Sequence, residues 1–92
     1  KAAEGGNGLV ARRSRALAEA LFKAKNYDKA LDNARKSVER DPQLAAAHAL
    51  MGEILLAQGN CAEALRAFGR ALAIDAASAS ARDGMERCKA AR

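Results

Sequence analysis

Tryptophan is absent from this chain, and only Phe22, Tyr27 and Phe68 supply aromatic rings. So few π-faces argue against a protein that binds nucleic acid by stacking bases. There is a single proline, Pro42, and a single histidine, His48, so long uninterrupted helices are expected and a histidine-based metal or proton-relay site is not. No apolar run approaches the length needed to span a membrane, and no signal-peptide pattern is present. The two cysteines, Cys61 and Cys88, stand 27 positions apart, which matches no zinc, haem or redox spacing. The plain reading is two free thiols in a reducing compartment, the cytoplasm; the alternative is a disulfide, since sequence does not report separation in space. The chain starts at Lys1 and not at Met, so it reads as a fragment of a longer protein.

What is abundant is alanine, at 25 of 92 positions. Alanine favours helix and allows helices to approach closely. Half the residues are apolar, which is enough for one folded domain with a modest core. The formal net charge is +5, and nine cations fall within residues 11–44 while residues 45–78 hold only Arg66 and Arg70. That balance permits an acidic partner but is small for a nucleic-acid binder.

Along the chain, residues 1–8 hold three glycines and no apolar periodicity, and read as a flexible linker. A helix follows with Val10, Leu17, Leu21 and Ala24 on one face. Asn26 interrupts it as an N-cap, and a second helix carries Tyr27, Ala30, Leu31, Ala34 and Val38 inward before Asp41-Pro42 stops it. A third helix places Ala47, Met51, Ile54, Leu55 and Gln58 along a stripe and ends at Gly59. Asn60 opens a fourth, with Ala64, Leu65, Phe68, Ala71 and Leu72 inward. A fifth, less apolar helix over residues 79–92 offers Met85 and Cys88 as its inward candidates.

Residues 11–44 overlay residues 45–78 at a shift of 34 positions. Glu19 meets Glu53, Leu21 meets Leu55, Asn26 meets Asn60, Ala30-Leu31 meets Ala64-Leu65, and Asp41 meets Asp75. With Ala11 and Ala45 these make seven identities, and they fall at inward positions and helix junctions. A 34-residue helix–turn–helix period is that of the tetratricopeptide repeat. The residues agree: Met51-Gly52 stands at the family's Leu-Gly pair, Ala64, Phe68 and Ala71 on its small–aromatic–small series, and Pro42 at its terminal proline. The chain departs from the pattern at Ser14 and His48 (for Trp), Ala34 (for Phe) and Ala76 (for Pro). The chain thus resembles the tetratricopeptide family. The resemblance implies an all-α fold of antiparallel helix–turn–helix repeats in a short right-handed superhelical solenoid. Two repeats, 11–44 and 45–78, would be followed by a capping helix, together a domain over 9–92. Three repeats are the usual minimum for such an array, so neighbouring repeats or self-association are expected to cover the end faces.

Members of the family bind ligands along a concave face lined by the first helix of each pair. Carried onto this sequence, that face comprises Arg12, Arg15, Glu19, Phe22, Lys23, Ala49, Glu53 and Leu56. Phe22 and Leu56 occupy equivalent positions and would anchor a peptide or helix of a partner protein, while Arg12, Arg15 and Lys23 would attract acidic residues at the rim. The alternative for the apolar pair is packing against neighbouring segments. The chaperone-tail clamp of some relatives is not expected, because Glu19 stands where a ligand-binding asparagine is needed. No nucleophile–base set, metal cluster or phosphate-binding loop can be assembled, so neither catalysis nor a cofactor is expected. His48 reads as a structural residue. The function implied is a protein-interaction scaffold; the alternative is a self-assembling unit that stacks end to end.

Overall fold

Two kinds of turn, each made twice at a 34-residue interval, lay out the chain. In the computed structural model the backbone is described for residues 2–90 and the side chains for residues 8–90. Five helices run in order: α1 (Ala2–Lys23), α2 (Tyr27–Arg40), α3 (Ala45–Ala57), α4 (Cys61–Ile74) and α5 (Ala79–Ala90). No strand occurs among the described residues.

The first kind of turn joins α1 to α2 and α3 to α4. Lys25 and Gly59 take left-handed φ values of 65° and 82°. The amides of Asn26 and Asn60 then reach back to the carbonyls of Leu21 and Leu55, each at 2.8 Å. This closes the helix ends as a left-handed residue after a C-terminus does. Asn60 accepts a side-chain bond from the Glu63 amide at 3.4 Å, whereas Asn26 at the equivalent N-cap makes none.

The second kind joins the pairs. The side chains of Asp41 and Asp75 each accept a bond, at 3.1 Å, from the amide two residues on, that of Gln43 and of Ala77. Their own amides bond the last turns of α2 and α4, at 2.9 Å to Ser37 and 2.8 Å to Ala71. An aspartate turn of this sort needs no proline. That is why Ala76 can stand where the first turn has Pro42.

Consecutive helices pack antiparallel, and the first helices of the pairs also touch side by side, α1 on α3 and α3 on α5. The result is an all-α helical repeat solenoid. Its core is small residues around few large ones: Ala18, Ala30, Ala34, Ala64, Ala67, Ala71 and Ala81 with Leu31, Leu50, Ile54, Leu55 and Phe68. Phe68 is fully buried and lies against Gly52 of α3 and Gly84 of α5. A buried hydroxyl bond ties α2 to α1, from Ser37 Oγ to the carbonyl of Ala11 at 2.7 Å. His48 is buried, and its Nε2 bonds the Pro42 carbonyl at 2.9 Å while Nδ1 has no partner among the described residues.

Three expectations are corrected. The lead-in expected over residues 1–8 is helical from Ala2, because propagating a helix already held by packing adds a hydrogen bond for each residue fixed; Lys1 lies outside the described residues. Leu17 is 51% exposed, and α1 instead buries Ala11, Ser14 and Ala18. Met51, one period on, is partly buried beside Arg35 of α2, and no described element takes the place of α2 in front of α1. Finally, the thiols are not free: Cys61 opening α4 and Cys88 in the last turn of α5 form a disulfide, with Cα atoms 5.7 Å apart. The cytoplasmic expectation rested on free thiols, and the pairing removes that ground.

Candidate functional site

The side-by-side contact of α1, α3 and α5 leaves a groove on the face of the first helices. On α1, Arg15, Glu19, Phe22 and Lys23 recur at spacings of four, three and one, which places them on one side of the helix. On α3 the matching row is Ala45, Ala46, Ala49, Leu50 and Glu53. The turn after α4 and the start of α5 close the far side with Asp75, Ser78 and Ser80. Together they enclose an open cavity of about 370 Å³, at the small end of the range for ligand pockets. Three of the five α3 residues in the lining are alanines, whose short side chains leave room there.

Of the eight residues the sequence nominated, Arg15, Glu19, Phe22, Lys23, Ala49 and Glu53 line this cavity, and Arg12 and Leu56 do not. Arg12 is exposed one turn too early. Leu56 is partly buried and packs against the core, although it stands 34 positions after Phe22. Phe22 does both, lining the groove while its ring packs at a tilt against Tyr27 across the turn, with centroids 5.7 Å apart. The other six lining residues, Ala45, Ala46, Leu50, Asp75, Ser78 and Ser80, were not among those eight; Ala45 and Ala46 belong to the same α3 row as Ala49. Leu50 shares the face of Ala46 and could have been found by extending that row by one turn. The other three are brought in by the bend between α4 and α5; the sequence marks that bend at Asp75, but not that it folds against the groove.

The charges in the groove are unevenly matched. Glu19 accepts from Arg15 at 3.0 Å and lies 3.7 Å from Lys23, so one carboxylate holds both cations of the lining. Asp75 turns its carboxylate into its own loop. Glu53 is half-buried and forms no ion pair among the described residues. Burial pushes its carboxyl above the usual range; Arg87 pulls it down, and Glu19 and Asp83 push it up further. Arg87 is itself held 3.2 Å from Asp83 on α5. No group of metal-ligating side chains occurs among the described residues, and no helix is long and apolar enough to cross a membrane. The arrangement offers shape and charge for recognition, and no nucleophile–base pair stands in it.

A family model described as tetratricopeptide repeat matches residues 14–77. Among solved structures, the chain is similar to one titled the TPR2B-domain:pHsp70-complex of yeast Sti1. The two are 26% identical with a TM-score of 0.82, over 90% of this chain and 71% of the other. None of the curated proteins searched matches this chain.

Proposed function

The chain belongs to the tetratricopeptide repeat family, and from that premise we propose that it binds a peptide or helix of a partner protein in the groove between α1, α3 and α5. It is a protein–protein interaction module; the groove as the binding site is the finer step. The single observation that carries it is that six residues nominated from the family's concave face line one cavity. The yeast neighbour is a complex with pHsp70 in a fold of this shape, which supports a protein as ligand. In this reading residues 11–44 and 45–78 are the two repeats, residues 79–92 cap them, and the module is a non-catalytic scaffold.

A photo-crosslinking residue placed at position 22, in the groove, and in a second variant at Arg66, away from it, tests the site. Covalent capture of a partner from position 22 alone is expected. Capture from position 66 alone would move the binding surface off the groove.

The exposure of Leu9 and Leu17 on α1, at 48% and 51%, favours a second reading, self-association through that face. Light scattering across a concentration series checks it: a mass that rises with concentration, and stops rising in a Leu9→Glu/Leu17→Glu variant, is its signature.

A further inference from the structure

We propose that the groove selects a basic residue, Lys or Arg, in the partner segment, and seats it against Glu53. The inference rests on the groove being the peptide site and concerns the chemistry of what enters it. The protein as a whole carries +5. Its groove does not share that sign, being lined by two cations and three carboxylates. Both cations, Arg15 and Lys23, are engaged by Glu19. Asp75 is engaged by the amide of Ala77. Glu53 is the lining carboxylate with neither an ion pair nor a side-chain hydrogen bond among the described residues, and it lies on α3, the central one of the three first helices.

The surroundings of Glu53 sharpen the preference. Glu19 and Asp83 add to its negative field, and Arg87, the cation that opposes them, already holds Asp83. An acidic ligand would meet this field and would also have to displace Glu19 from Arg15 and Lys23. A basic side chain meets a partly desolvated carboxylate that has no ion pair of its own, where a charged hydrogen bond is stronger than in open water. Ala46, Ala49, Leu50 and Phe22 line the way in and suit the aliphatic stem of Lys or Arg, which buries against apolar surface while its head reaches a charge. A cavity of about 370 Å³ has room for one such side chain and a small neighbour. The partner so defined is a peptide with a single basic residue flanked by small or apolar ones. This reverses the acidic ligand that the arginines and lysine of the sequence suggested.

The test is selection of a phage-displayed random dodecapeptide library on the whole chain, with the Glu53→Gln and Phe22→Ala variants in parallel. Enrichment of Lys or Arg at one peptide position is expected. The affinity of the best such peptide should fall about tenfold or more with Glu53→Gln, as loss of a charged hydrogen bond implies, and fall by no more than that when its basic residue is also replaced by norleucine. Peptides enriched in Asp or Glu, or basic peptides that bind Glu53→Gln equally well, would overturn the proposal and leave the groove reading standing. Peptides of any composition that bind Phe22→Ala as well as the wild type, or no enriched peptide at all, would overturn both.

Discussion

The ring of Phe68 in α4 occupies the space that a side chain at Gly84 of α5 would need. Gly52 of α3 faces the same ring with a Cβ position 2.6 Å from its nearest carbon. One 34-residue period earlier the corresponding three positions are Ala34, Ala18 and Leu50. Where the second helix brings a small residue, its neighbours can be larger; where it brings the phenyl ring, both must be glycine. The departure from the family pattern at Ala34 is therefore a different way of filling the same space.

Gly84→Ala is expected to destabilise the chain by about 1–3 kcal/mol, because Phe68 is fully buried and has nowhere to turn. Thermal melting in the wild-type and Phe68→Ala backgrounds checks the cause. The penalty should shrink or vanish once the ring is gone, and an equal penalty in both backgrounds would place the clash elsewhere. Ala64→Arg, at a site with no exposure, should fail to give a cooperative melt.

Lys25 holds a left-handed backbone that Gly59 holds one period later without strain. Lys25→Gly should stabilise by about 0.5–1 kcal/mol, the relief of strain outweighing the extra freedom of the unfolded chain. Gly59→Ala should cost about 1 kcal/mol. Urea denaturation of the two variants should therefore move the midpoint in opposite directions.

Glu53 is worse off charged in the fold than in the unfolded chain, so its folded pKa lies above 4.5. The native state then binds the proton more tightly, and stability falls as pH rises through the interval from 4.5 to the raised value. Burial is the main cause; Glu19 and Asp83 repel, and Arg87 opposes them. Glu53→Gln should consequently melt higher than the wild type at pH 7, and the gain should disappear below pH 4.5, where the carboxyl is protonated in both states. A variant that melts lower at pH 7 would mean that the charge is held by a contact stronger than those seen.

Reduction of the Cys61–Cys88 bond frees α5, which buries only Ala81, Gly84 and Cys88 fully. The bond closes a loop of 27 residues, and its loss should cost about 2–4 kcal/mol. A reducing agent should lower the melting temperature of the wild type and leave that of a Cys61→Ala/Cys88→Ala variant unmoved. An intact mass that does not rise by two hydrogens on reduction would show that the bond was never formed.

Much of the fold was legible because it depends on interactions close in sequence. Asn60, Gly59, Asp41 and Pro42 act within a few residues of themselves, and a helix period repeats wherever the apolar residues do. The inward face of α1 was not legible, since Val10 and Leu17 form as good a stripe as Ala11, Ser14 and Ala18. Which stripe is buried depends on whether a helix lies against it, and Met51 has α2 where Leu17 has none.

The sequence by itself determined that this is a helical repeat protein with a 34-residue period, where its turns fall, and which helix face carries Arg15, Glu19, Phe22, Lys23, Ala49 and Glu53. Local propensity and periodicity are enough for that, because each acts within one or two turns of helix. The tertiary structure alone decided that Cys61 meets Cys88 and that Phe68 requires Gly84. It alone decided that Glu19 engages both groove cations while Glu53 has none. These are matters of distance between side chains, and a charge or a thiol has no fixed role until packing has chosen its neighbours.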